Sequence, residues 1–184
     1  FFIILIKMKI TVEKNIIFKS LSHVQSIVEK KNAIPVLSNI LIEAKNNSLI
    51  LSATDMDISI TDTLNYNVIE EGSITVPAHT LYDIIRKLSD DNEIEFISND
   101  GKIFSIRSGK SRFSLGCLPK EEFPIIEVDN LKSELSIDSQ ELLSLIEKTR
   151  FAISSEETRY FLNGIYFHKN KDTNDDVLTM VATD

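Results

Sequence analysis

The feature that most constrains this chain is that it says one thing twice. The stretch Ser48-Leu49-Ile50-Leu51-Ser52-Ala53-Thr54-Asp55 carries a polar lead-in, an apolar run and Ala-Thr-Asp, and residues 176–184 repeat that pattern. The flanks agree. Leu37-Ser38-Asn39-Ile40-Leu41-Ile42-Glu43 precedes the first copy, and Phe161-Leu162-Asn163-Gly164-Ile165-Tyr166-Phe167 precedes the second. Further back, Lys9-Ile10-Thr11-Val12-Glu13 matches Glu134-Leu135-Ser136-Ile137-Asp138. The offset is 124 for Asn39 and Asn163, 125 for Val12 and Ile137, and 129 for Asp55 and Asp184, so a longer turn at 169–176 is expected to absorb the drift. A period this long marks a duplicated domain, because solenoid units are several times shorter. The chain reads as one full unit followed by the first half of another.

Within the first unit the hydrophobic period alternates between 2 and 3.6. A short strand at 10–12 leads into a helical pattern over 14–31, with Ile16, Ile17, Leu21, Val24, Ile27 and Val28 on one side. Pro35 ends that helix. Strands follow at 39–43, 48–53 and 58–63, with Lys45-Asn46-Asn47 as a turn. A strand at 73–76 then runs into a second helix opened by Pro77, whose buried stripe is Leu81, Ile84, Ile85 and Leu88. Strands at 93–97, 102–107 and 111–117 complete the unit, joined at Asn99-Asp100-Gly101 and Ser108-Gly109. The pattern of strand, helix and three strands thus occurs twice between residues 8 and 118. A polar connector spans 119–132. The second unit opens at Glu134 with a helix from Ser139 to about 153, capped by Ser139 and burying Leu142, Leu143, Leu145 and Ile146.

The net charge of −8 argues against a surface adapted throughout to nucleic acid, but not against a local basic patch. One cysteine, Cys117, excludes an internal disulfide framework and suits a reducing compartment. The apolar start at 1–7 is too short to span a membrane, which takes about 20 residues, and lacks the form of a signal peptide. Met8-Lys9 reads as a natural start, so 1–7 are expected to be an upstream extension.

Several runs, in order, resemble the bacterial DNA polymerase III beta subunit family, the replicative sliding clamps. They are Met8-Lys9-Ile10-Thr11-Val12, Ile34-Pro35-Val36-Leu37-Ser38-Asn39, Ser52-Ala53-Thr54-Asp55, Val76-Pro77-Ala78, the run from Arg107 to Leu115, and Arg159-Tyr160-Phe161-Leu162-Asn163-Gly164. The resemblance implies an α+β clamp fold of tandem duplicated domains, with antiparallel sheets outside and helices lining a concave inner face. On it, 8–126 is clamp domain I, 127–133 a linker, and 134–184 the first half of domain II; the family's third domain has no counterpart here.

The family encircles duplex DNA without bond chemistry, so no cofactor or metal is expected. Its partners are double-stranded DNA of any sequence, the polymerase III catalytic subunit, the clamp loader and a second copy closing a head-to-tail ring, in the cytoplasm and away from membranes. Lys19, Lys30, Lys31, Arg86, Lys87, Lys148 and Arg150 lie on or beside polar helix faces, where phosphate attraction is independent of sequence. Arg159, Tyr160 and Phe161 match a DNA-approaching segment, although Glu156 and Glu157 beside it repel phosphate. Arg107, Lys110, Arg112, Phe113 and Leu115 match the ring-closing edge strand, with alternation setting Lys110 and Arg112 on one face and Phe113 and Leu115 on the other. Leu162 and Thr183 match part of a pocket for partner peptides.

Rival chemistries find little support. Asp55-Met56-Asp57 places two carboxylates two residues apart, but this spacing at a strand's start marks a turn. His23, His79 and His168 are scattered, and Ser139 and Ser155 lack a neighbouring histidine or oxyanion glycines. A structural interaction module, or a remnant of a clamp, is the other alternative; an in-frame third domain downstream would decide against it.

Overall fold

The computed structural model describes residues 7–30, 33–90, 92–125, 136–169 and 177–184, and the chain divides into two compact units, 1–127 and 128–184. Residues 1–6, residues 126–135 with the expected linker at 127–133 and the opening of the second unit at Glu134, and most of the long turn at 169–176 lie outside the described residues.

In the first unit, β1 (Met8–Val12) is followed by α1 (Lys14–Val24), β2 (Asn39–Lys45), β3 (Ser48–Thr54), β4 (Ser59–Asn65), β5 (Val68–Glu70) and β6 (Gly72–Pro77). Then come α2 (Ala78–Lys87), β7 (Ile94–Ser98), β8 (Ile103–Ser108) and β9 (Ser111–Gly116). Two antiparallel sheets result, in the orders β5-β1-β7-β8-β9 and β4-β3-β2-β6. Strand alternation sends Met8, Ile10 and Val12, Ile40 and Ile42, Leu49 and Leu51, and Phe96, Phe104 and Ile106 into one core. Onto it α1 lays Ile17, Leu21 and Val24, and α2 lays Leu81 and Ile85. Each such side chain contributes roughly 1.5–3 kcal/mol before entropy is counted.

Local chemistry sets the element boundaries. Asn46 and Asn47, at φ 49° and 55°, make the two-residue turn joining β2 to β3; asparagine tolerates this left-handed region better than most residues. Gly72 is required for contact: a Cβ there would stand 2.5 Å from the Lys7 carbonyl oxygen. The first helix is shorter than its hydrophobic pattern. After Val24 it tightens into a single 3-10 turn, Gln25–Ile27, and Val28 is extended. Ile16, expected inside, is exposed. Pro77 ends β6 and stands at the N-cap of α2 instead of inside it. Strand β5 was not foreseen.

The two helices lie side by side. Phe18 stacks on Tyr82 with centroids 5.2 Å apart, and the Lys14 ammonium reaches both the Leu88 carbonyl and Asp90. On the far face of the four-stranded sheet, Phe123 buries itself against Val36 and Leu41, so the chain beyond β9 is tied back to its own unit.

In the second unit α3 (Ser139–Thr149) has the same length as α1, displaced by 125 residues, and it too ends in a 3-10 turn, Arg150–Ala152. A second, irregular 3-10 segment, Glu157–Leu162, precedes the hairpin of β10 (Tyr166–Lys169) and β11 (Leu178–Val181). The helix is capped by Asp138, whose carboxylate accepts from the Gln140 and Glu141 N–H groups at 2.9 and 3.1 Å; Ser139 is the first helical residue. Leu142, Leu145 and Ile146 are only half-buried and Leu143 is exposed, because the described unit offers α3 a two-stranded hairpin where α1 has a full sheet.

Candidate nucleic-acid interface

The polar sides of α1 and α2 lie next to each other, since the apolar sides share one core. Lys19 and His23 stand one turn apart on α1, both exposed; α2 contributes Thr80, Asp83, Arg86 and Lys87. Arg86 is committed locally. Its guanidinium pairs with Asp83 at 2.8 Å and lies 5.8 Å over the Tyr82 ring. Among the described residues Lys19 and Lys87 form no ion pair, so their charge is available to an anion. Lys30, beyond the 3-10 turn, is exposed; Lys31 lies outside the described residues. On the second unit Lys148 and Arg150 are exposed at the end of α3 and are likewise unpaired among the described residues.

The segment before β10 differs from its expectation in detail. Tyr160 and Phe161 are 78% and 71% exposed and meet edge to face at 5.9 Å, so Phe161 is not a core residue. Arg159 bonds Glu156 at 2.7 Å; that pairing lowers the Glu156 carboxyl's pKa and raises the guanidinium's further. The cation there is already partnered. Phe151, next to Arg150, is the most exposed aromatic of the unit and escaped the sequence reading, since a lone aromatic after a helix carries no periodic signal.

One edge of the five-stranded sheet is β9, paired with β8 and, among the described residues, with nothing on its other side. Arg112 faces Arg107 across the ladder, and Arg107 faces Glu95. Lys9 hydrogen-bonds Glu95 at 2.9 Å and, with Arg107 at 3.6 Å and the Arg112 charge, holds that carboxyl below its usual range. Lys110 does not share the strand's face as alternation implied. Gly109, at φ 53°, closes a two-residue turn in which Lys110 is the second member, and β9 starts at Ser111. Leu115 packs on the core, whereas Phe113 stays partly exposed over a hollow of about 350 Å³ against α2, walled by Ile84, Lys87 and Leu88.

In the second unit Leu162 and Thr183 come together. They line a groove of about 260 Å³ with Phe161, Ile165, Tyr166 and Val181. The acid pair after β3 is a turn: the Asp55 carboxylate accepts from the Asp57 and Ile58 N–H groups at 3.0 and 2.7 Å, and Met56 takes φ 82°. Among the described residues no cluster of histidine, cysteine and acids could hold a metal, and no helix is long and apolar enough to cross a membrane.

Comparison with known proteins matches this arrangement. A solved C. crescentus beta sliding clamp superposes with a TM-score of 0.91 at 47% identity, covering 97% of this chain and 48% of that one. A Bartonella birtlesii DnaN sliding clamp bound to griselimycin gives 0.89 at 46% identity, covering 97% and 47%. The fold is that of a bacterial DNA sliding clamp. Residues 8–127 match the family model for the N-terminal domain of the DNA polymerase III beta subunit, and 136–184 match that for its central domain. The beta sliding clamp of Caulobacter vibrioides is 48% identical over 178 residues, 96% of this chain and 48% of its own length. The chain belongs to the DNA polymerase III beta subunit family, and it spans about half the length of the curated relatives it matches.

Proposed function

We propose that this chain provides the first clamp domain, residues 8–126, and the opening half of the second of a replicative sliding clamp. In that role it surrounds duplex DNA and tethers polymerase III and other DNA-processing proteins without catalysing a reaction. The observation that carries the reading is the set of uncommitted cations on helix ends and faces in a strongly acidic chain: Lys19 and Lys87 in one unit, Lys148 and Arg150 in the other. Such charges attract phosphate, read no base edge, and so permit sliding. Lys30, Lys31 and Arg86 in the first unit, and Arg159, Tyr160 and Phe161 in the second, are assigned the same role, with Arg86 and Arg159 contributing less because each is paired to an acid. Arg107, Lys110, Arg112, Phe113 and Leu115 form the ring-closing edge toward a second copy. The groove of Leu162 and Thr183 contributes to docking peptides of the polymerase and the clamp loader, in the cytoplasm.

The test is charge reversal. Duplex binding by Lys19→Glu with Lys87→Glu is expected to weaken about tenfold or more, as loss of two phosphate contacts requires. Lys45→Glu, at the exposed end of β2, is expected to change it little. Equal losses from both variants would reject the helix faces as the DNA surface.

A further inference from the structure

The duplication that relates Asn39 to Asn163 sets one side-chain amide in two environments. In unit 1 the Asn39 amide is buried and its Nδ2 donates to Thr75 at 3.0 Å. In unit 2 Asn163 is exposed, and among the described residues its side-chain amide has no hydrogen-bond partner. Only the main chain is held there, the Asn163 N–H by the Tyr160 carbonyl at 3.0 Å.

Glycine follows Asn163, and follows no other asparagine in the chain. With no Cβ beside it, a glycine nitrogen is the least hindered in a backbone. The Gly164 N–H is bonded to no carbonyl among the described residues, and the two residues bend the chain between the 3-10 segment and β10. The Asn163 ψ of 32° must turn before the Gly164 nitrogen can reach the side-chain Cγ. Space allows it, because even a Cβ built on Gly164 would meet no atom within 4 Å. Asp100-Gly101 offers the same spacing but is locked: its carboxylate accepts from the Lys102 and Ile103 N–H groups at 2.9 and 3.1 Å. These bonds hold it ionised, and a carboxylate is a poor electrophile.

We propose that Asn163-Gly164 is a self-modification site, at which the chain converts its own asparagine to isoaspartate and aspartate. The Gly164 nitrogen gives its proton to hydroxide and bonds to Asn163 Cγ. The Cγ–Nδ2 bond breaks, and Nδ2 takes a proton from water and leaves as ammonia. Water then opens the resulting cyclic imide. Attack at the main-chain carbonyl, the more reactive one, leaves Gly164 joined through Cγ as isoaspartate, and attack at Cγ leaves aspartate. The sum is one water consumed and one ammonia released, with no redox change. Either product adds a negative charge to the −8 of the sequence. Isoaspartate also lengthens the main chain by a methylene between Leu162 and Ile165, both of which line the groove. The chemistry does not depend on the DNA role; where that role holds, a carboxylate beside Tyr160 and Phe161 opposes phosphate.

Trypsin releases Asn163 in the peptide 160–169, so the full chain is aged in warm, mildly alkaline buffer and digested at intervals. Mass spectrometry follows the amide-to-acid mass gain, and isoaspartyl methyltransferase labelling separates the two products. Asn163 is expected to convert at least about tenfold faster than Asn39 or Asn47, which takes a barrier difference of only about 1.4 kcal/mol. Isoaspartate should be the larger product, and the rate should rise with pH. Because the fold leaves the site open, the rate should lie within about threefold of that in the free synthetic peptide 160–169. Gly164→Ala, whose added Cβ has room, should slow conversion about tenfold by crowding the nitrogen. A rate in the intact chain more than about tenfold below the peptide's would show the site closed and overturn the proposal. Equal rates for Gly164→Ala and wild type would overturn it too, since the Gly164 nitrogen would then not be the attacking group.

Discussion

Thr75 joins three parts of unit 1 through one hydroxyl. Fully buried on the outer side of β6, its Oγ1 accepts from Asn39 Nδ2 at 3.0 Å and from the Leu118 N–H at 3.1 Å, and donates to the Leu118 carbonyl at 2.7 Å. Thr75→Val keeps the shape and removes the hydroxyl, stranding two donors and an acceptor. A buried polar group left without a partner costs about 1–3 kcal/mol. Asn39 is buried and pays that in full, whereas Leu118 is half-buried and recovers part of it from water. The sum is about 3 kcal/mol, a large share of a typical domain's stability. Urea unfolding of Thr75→Val, followed by circular dichroism, is expected to show that loss at unchanged m-value. The melting point should fall by roughly 10–15 °C. Thr75→Ser keeps the hydroxyl and should lose about 1 kcal/mol, for one methyl group. A Thr75→Val loss below about 1 kcal/mol, or a Thr75→Ser loss equal to it, would refute the reasoning.

Two further outcomes follow from charge and burial. Glu95, held low by Lys9 with help from Arg107 and Arg112, stabilises the fold above the ordinary carboxylate range, and this is lost as pH falls through its depressed pKa. The stability gap between wild type and Glu95→Gln, measured by urea titration, should therefore be widest near neutrality and close in acid; a gap that widens in acid would contradict it. The Cys117 thiol is pushed up to about 11, chiefly by burial and further by the Asp100 charge. Its alkylation by iodoacetamide at pH 8 should be about a hundredfold slower than a free cysteine's, and a matching rate would show the thiol open to water.

Periodicity located the strands and helices of unit 1 because each has a solvent side and a core side, and burial imprints that difference on the sequence. It failed where geometry is set by something else. The α1 pattern continues through Ile27 and Val28, yet these residues reach the core from a 3-10 turn and an extended residue, which place apolar side chains inward as a helix would. β5 is three residues long, too short for a period to register. Lys110 and Arg112 look like strand neighbours until Gly109 turns the chain between them and β8. At the interface, the cations were legible but their partners were not: Asp83 and Glu156 are three residues from the arginines they hold, a spacing that equally suits no contact at all. The closeness of Leu162 and Thr183 could not be read from spacing, since it depends on the β10–β11 hairpin. The family resemblance supplied that pair.

The central claim is that uncommitted helix cations let an acidic protein hold duplex DNA without reading it. Fluorescence anisotropy of this chain with two duplexes of unrelated sequence, titrated across salt, tests it most directly. If Lys19, Lys87, Lys148 and Arg150 each meet a phosphate, log K should fall against log salt with a slope of about −3 to −4, the same for both duplexes. A flat salt dependence, or a clear preference between the two sequences, would contradict the account.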